Sequence, residues 1–222
     1  MRLIFDSDRF IPIIKHLKKQ EINEGGNKLD FKPSSKETIF IRKRDEGDYE
    51  KQIHLTSHPT QVYGNIKGFT IGKKKPGVIF ISSKTHLQRF DMVNKLLMDQ
   101  TIKLDNIIFL GSHILKEGEQ NFIKENGVSF FSMKEMSHEG CFEISESIMS
   151  RAKKFSELYV FIDSAVLEYP TIRTSWAGGM TTRELIFFIQ RFKKMHNFDT
   201  AELLISPSDA RVAVKLLTEL YV

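Results

Sequence analysis

A chain of 222 residues, 41% hydrophobic and 27% charged, is long enough to close one sizeable core and too apolar to be disordered throughout. No run of about 18 apolar residues occurs, so a spanning helix of ordinary length is excluded, and one cysteine, Cys141, excludes an internal disulfide and a cysteine-only metal cluster. The net charge of +5 comes from short basic runs (Lys18-Lys19, Arg42-Lys43-Arg44, Lys73-Lys74-Lys75, Lys153-Lys154, Lys193-Lys194), which read as solvated charge on helix ends and loops.

In chain order, the first ten residues carry Asp6 and Asp8 where a secretory signal would carry a basic end and an apolar run, which points to a cytoplasmic protein. Asp8 can cap a helix over residues 9–20, with Phe10, Ile13, Ile14 and Leu17 at helical spacing. Gly25-Gly26-Asn27 and Pro33-Ser34-Ser35 break the chain. Thr38–Ile41 and Gln52–Thr56 are β-rich. Val78–Ile81, Asn106–Leu110 and Leu158–Ile162 are continuous apolar runs, as expected of strands covered on both faces. Val128–Phe131 and Leu203–Ile205 are shorter candidates. Helical spacing falls between them, over 86–99, 117–125, 142–155, 181–195 and 208–221. Thr181 and Glu184 have the spacing of a capping box. Such alternation predicts a three-layer α/β/α sandwich on a mainly parallel sheet, a single domain over 1–222, with function at the carboxyl ends of the strands.

Just after the strongest strand, LYVFIDSAVLEYP is followed by WAGGMTTRE. Gly178-Gly179-Met180-Thr181-Thr182-Arg183-Glu184 resembles the Gly-Gly-Leu-Thr-x-Arg-Glu element of the ureohydrolase superfamily, which holds arginase, agmatinase and formimidoylglutamase. Phe80-Ile81-Ser82-Ser83-Lys84-Thr85-His86 falls where that family has a strand ending in Asp-Ala-His-x-Asp. His54–His58 falls near its Gly-Gly-Asp-His, and Phe198–Pro207 near its last core strand. The resemblance covers about residues 50–222. The first 50 residues are divergent.

The resemblance implies a pair of Mn²⁺ ions activating a water for attack on a guanidinium carbon. Residue by residue, the ligand set is depleted. His58 is retained from Gly-Gly-Asp-His and Asp163 from the Asp-x-Asp strand end. Ser82 replaces the first aspartate of Asp-Ala-His-x-Asp, Lys84 its histidine and His86 its last aspartate, while Ala165 replaces the second aspartate of the Asp-x-Asp strand end. Paired ions a few Å apart need bridging carboxylates. An ammonium at 4 Å from a cation costs about 4 kcal/mol per charge pair even at an effective dielectric of about 20. The connection from Ser82 to Asn106 is also too short for the substrate-contacting loop of the family. The substrate-binding glutamate falls on Leu204 or on Glu202, depending on the alignment.

The leading expectation is therefore a ureohydrolase-fold protein that has lost the binuclear site and acts in binding, as a scaffold or as a regulatory subunit. No cofactor is expected in that case. The alternative is a C–N hydrolase acting on linear amidines or guanidines with one divalent ion, zinc or manganese, held by His58, His86 and Asp163; two imidazoles and a carboxylate suit zinc with an open position. Against it stands an Asp163–Lys84 ion pair. A third reading is a basic anion- or nucleic-acid-binding module. Ser82-Ser83-Lys84 and His138–Cys141 are weaker nucleophile candidates. Trp176 is expected over the strand ends, filling the emptied pocket or contacting a ligand. A homo-oligomer or an active relative is the expected partner; no membrane partner is expected, and nucleic acid is not favoured.

Overall fold

The computed structural model describes residues 2–6, 10–13, 15, 30–33, 51–168 and 178–221. Among the described residues, one sheet of eight strands, every pair parallel, runs in the order β2-β1-β3-β8-β7-β4-β5-β6. Its strands are β1 (Arg2–Phe5), β2 (Asp30–Pro33), β3 (Gln52–Thr56), β4 (Gly77–Ile81), β5 (Ile107–Ser112), β6 (Ser129–Ser132), β7 (Leu158–Asp163) and β8 (Phe198–Leu204). After β3 the chain leaves a gap two strands wide, and β7 and β8 return to fill it. The last two strands thus become the centre of the sheet.

Among the described residues, the helices bounded at both ends are α1 (Pro59–Thr70), α2 (Met92–Met98), α3 (Glu119–Glu125), α4 (Met133–Glu139), α5 (Cys141–Ala152), α6 (Thr182–Phe192) and α7 (Ala210–Tyr221). Period-two alternation along the strands splits the apolar interior into two layers. Ile79, Ile81, Val160, Ile162 and Leu203 pack against Ile144, Leu185, Phe188 and Leu216 of α5, α6 and α7. Val78, Phe80, Phe109, Tyr159 and Phe161 pack against Val62, Ile66, Val93 and Leu96 of α1 and α2. This is the expected three-layer sandwich. β4 is buried at every residue, which is why its sequence reads as an unbroken apolar run.

Several elements differ from the sequence reading. β1, β2, α1 and α4 had no counterpart in it. Residues 86–91 are not helical; His86 and Phe90 take left-handed backbone angles (φ 55° and 70°), so the apolar spacing there belongs to a loop leading into α2. β8 starts at Phe198, earlier than expected, because Asp199, Thr200 and Glu202 are polar residues inside a buried strand. Residues 11–13 and 15 are helical, with Phe10 and Ile13 buried. Thr38–Ile41, Ile14, Leu17 and the Gly25-Gly26 break lie outside the described residues.

The glycine-rich segment behaves as its sequence suggests. Met180 N donates to Val166 O (2.8 Å) and Glu168 N to Met180 O (2.9 Å), a parallel bridge immediately after β7. A Cβ on Gly179 would lie 2.7 Å from Val166 O, so only glycine allows the approach. Gly178 stands at φ 84°. Thr181 and Glu184 then form a full capping box that starts α6.

Candidate functional site

Strand register brings the functional candidates to one level. Asp163, the last residue of β7, is paired with Leu204 of β8, and Leu204 with Thr56 of β3. On the other side Ile162 is paired with Ile81 of β4, so Ser82 follows beside Asp163. Ser82 Oγ donates to Asp163 Oδ2 at 3.1 Å. His86 Nε2 lies 3.3 Å from the same Oγ and 3.9 Å from Asp163 Oδ2. Because the hydroxyl proton goes to the carboxylate, the imidazole N–H is the donor to Oγ, giving a relay from His86 through Ser82 to Asp163. This is not the geometry of an activated serine, in which the imidazole would accept the hydroxyl proton.

The backbone holds the cluster closed. Ala165 N donates to Asp163 Oδ1 (2.9 Å), starting the short 3-10 turn Ser164–Val166, and Lys84 N donates to Ser82 Oγ (3.3 Å). Ser82 is fully buried. The left-handed backbone at His86 costs an L-residue of this kind about 1–2 kcal/mol. It is held by Asn94 N donating to the His86 carbonyl (3.1 Å) and by the neighbouring Thr85, whose hydroxyl donates to the buried Glu119 (2.7 Å).

The remaining candidates are placed differently. His58 is the N-cap of α1: its Nδ1 accepts from Thr60 N (3.3 Å) and lies 2.9 Å from Thr60 Oγ1. It is exposed, outside the Ser82–His86–Asp163 cluster. Among the described residues no three His, Cys, Asp or Glu side chains are grouped so as to hold a metal ion. The expected Lys84–Asp163 ion pair is corrected: Lys84 is exposed, and the Asp163 carboxylate is taken up by Ser82 and Ala165, with His86 close by. Leu204, rather than Glu202, stands at the level of Asp163. Trp176 lies outside the described residues.

Glu202 forms part of an interior polar cluster that the sequence reading missed. It is fully buried on β8 and accepts from Thr56 Oγ1 (2.5 Å), Asn65 Nδ2 (2.8 Å) and the Tyr159 hydroxyl (2.6 Å). Burial pushes its carboxyl above the ordinary range, and the three donors pull it back in part. Burial, then the charge of Glu202, drive the Tyr159 phenol well above its usual value. His54, on β3 beside Glu202 in register, is lowered to about 4 by burial, against the pull of Asp199. Asp199 itself meets Lys73 Nζ at 2.7 Å, and that ammonium lies 3.3 Å from the Phe69 ring centroid. The available signal was the interruption of apolar strands by His54, Thr56, Asp199 and Glu202.

A parallel α/β sandwich whose last two strands fill its centre, with a Gly-Gly bridge beside the β7 end, defines an arginase-like fold. The chain belongs to the arginase family, whose model matches residues 59–221. An arginase of Staphylococcus aureus is 26% identical over 112 residues, 48% of this chain and 37% of that protein. An arginase of Emericella nidulans is 22% identical over 149 residues, 65% of this chain and 44% of that protein. The matched stretch is thus less than half of these relatives' length. Among solved structures, arginase from Bacillus cereus superposes with a TM-score of 0.79 at 17% identity, covering 99% of this chain and 97% of that one. Formimidoylglutamase from Bacillus subtilis does so with 0.80 at 16% identity, covering 99% and 84%. At these identities the superpositions speak for the fold.

Proposed function

We propose that this arginase-family chain lacks the paired manganese site and works by binding, as a scaffold or regulatory subunit, rather than by hydrolysis. The observation that carries this reading is the state of Asp163. It is the carboxylate that Ser82 and Ala165 engage where the sheet's central strands end, and its oxygens are already hydrogen-bonded from within the chain. Two divalent ions need several carboxylate oxygens, some bridging. Ser82 and Ala165 provide no carboxylate. This donor set does not fit a metal pair.

A second reading has one specific observation in its favour. His86 Nε2 and Asp163 Oδ2 stand 3.9 Å apart, close to the separation of two ligands on one zinc ion with bonds of about 2.0–2.2 Å. His58 would have to leave its cap to join them. The reaction class would then be hydrolysis of a linear amidine or guanidine C–N bond.

Residence in the cytoplasm and assembly with further copies, or with an active relative, belong to the same proposal. Among the described residues no helix is long and apolar enough to cross a membrane. The test is product release from arginine, agmatine and formimidoylglutamate after loading with Mn²⁺ or Zn²⁺. The leading reading expects no turnover above that of Asp163→Ala. Turnover with one zinc per chain, abolished by Asp163→Ala and His86→Ala, would replace it with the second reading.

A further inference from the structure

In the sequence the lysine runs look scattered, but the fold gathers them. Each helix runs back against the strands, so every helix-to-strand connection lies at the amino end of the sheet. Lys74 and Lys75 precede β4, Lys103 precedes β5, Lys153 and Lys154 precede β7, and Lys194 precedes β8; all six are exposed. Those strands are neighbours, in the order β8-β7-β4-β5. At about 4.8 Å per strand, the connections span about 15 Å. Lys51 extends the row to β3; burial lowers the proton affinity of Lys193, Glu219 opposes that, and the nearby Lys194 and Lys51 add to it in smaller measure. Carboxylates stand at this end as well: Lys73 holds Asp199 at 2.7 Å and Asp99 takes the Tyr63 hydroxyl with Lys67 at 3.5 Å, while Asp105, just before β5, and Glu125, before β6, are exposed.

Two large apolar side chains stand at the same end. Ile71, at the C-cap of α1, is 61% exposed, and Met98, the last residue of α2, is 76% exposed. They flank one contact, since Lys67 lies a turn before Ile71 and reaches Asp99, the residue after Met98. Among the described residues the exposed large aromatics lie on other segments: Phe90 leads into α2, Phe122 lies within α3 and Phe142 begins α5.

We infer that the amino end of the sheet is a docking surface for an anionic phospholipid bilayer. Clustered lysines are drawn to the negative potential of such a surface. Ile71 and Met98 gain by entering the headgroup–acyl boundary, a gain a phosphate backbone does not offer. Single-stranded nucleic acid would call for exposed aromatics among the lysines as stacking platforms. Forked recognition of phosphate favours arginine; the exposed cations here are mostly lysine, and Arg151, exposed in the last turn of α5, donates to Ser129 Oγ at 3.0 Å.

The test is co-sedimentation of the full chain with phosphatidylcholine vesicles containing about 30 mol% phosphatidylserine, at low and raised salt. Binding is expected on these vesicles, weakening with salt, and none on phosphatidylcholine alone. Lys74→Gln with Lys154→Gln should weaken partitioning about thirtyfold, about fivefold per lysine. Lys134→Gln with Arg211→Gln removes the same charge at the first turns of α4 and α7, the opposite end, and should change it less than about twofold. Ile71→Asn with Met98→Gln should weaken binding while leaving its salt dependence unchanged. All six positions are exposed, and circular dichroism checks that the variants fold. Failure to sediment with anionic vesicles, equal loss in the two charge variants, or tighter binding to a duplex DNA or RNA than to vesicles would each overturn the assignment.

Discussion

Two carboxylates on adjacent central strands meet opposite fates. Glu202, within β8, is fully buried and accepts from three donors on β3, α1 and β7, knitting three elements together. Asp163, at the end of β7, keeps some exposure and accepts from one side chain and one amide of its own turn. The same functional group thus braces the fold in one place and remains at a strand end in the other. The interior carboxylate has the greater hold on stability, and the strand-end carboxylate is the one whose loss the fold should tolerate.

The largest effect should come from Glu202→Ala. It strands the Tyr159 hydroxyl, the Thr56 hydroxyl and the Asn65 amide without their acceptor, at a cost of about 4 kcal/mol, judged from the penalty for buried unsatisfied groups. Urea unfolding followed by circular dichroism checks it, and a loss below about 1 kcal/mol would erase the contrast with Asp163.

Next comes pH. His54 is buried neutral, with its pKa lowered from 6.5 to about 4. The unfolded chain therefore takes up a proton between these values while the folded chain does not. Stability from this group is complete above pH 6.5 and declines as pH falls toward 4, by up to about 3 kcal/mol. Glu202, raised by burial, works with the opposite sign, losing stability as pH rises above 4.5. The unfolding midpoint of wild type should fall between pH 6.5 and 4, and His54→Gln should flatten that slope. An unchanged slope would show that His54 is not the group responsible.

The smallest effect should be that of Asp163→Ala. Loss of the turn cap and the Ser82 bond should cost about 1 kcal/mol. Ser82→Ala added to it should cost less than it does alone, because the two changes share the Ser82–Asp163 bond and only the acceptance from Lys84 N and His86 is newly lost. A penalty as large as that of Glu202→Ala would break the comparison.

The parts of the fold legible in the sequence are those where one physical cause dominates. β4, β5 and β7 are covered on both faces and read as unbroken apolar runs. Gly178-Gly179 and the Thr181–Glu184 box read as a close approach followed by a helix start, because sterics and capping are local. Elements that depend on context were missed. α1 contains Gly64 and Gly68 and two β-branched residues among its buried face, yet Val62, Ile66 and Phe69 are buried by packing on the sheet. The loop at 86–91 imitated a helix because Leu87 and Phe90 happen to fall at helical spacing, although Phe90 is 69% exposed. At the site, the strand ends were legible by order along the chain, so Ser82, His86 and Asp163 were each placed there, although the trio expected to act together was His58, His86 and Asp163. Their bonding was not. Whether Asp163 meets Lys84 or Ser82 depends on where the chain after β4 turns. The choice between Glu202 and Leu204 likewise depended on register, which spacing alone leaves open by two residues.

The central claim is that the strand-end site has become a closed hydrogen-bonded cluster instead of a metal cradle. Manganese stoichiometry by elemental analysis, on protein equilibrated with excess Mn²⁺ and then desalted, tests it most directly. The account predicts far less than one ion per chain, with no difference between wild type and Asp163→Asn. Two ions per chain, lost in Asp163→Asn, would contradict it.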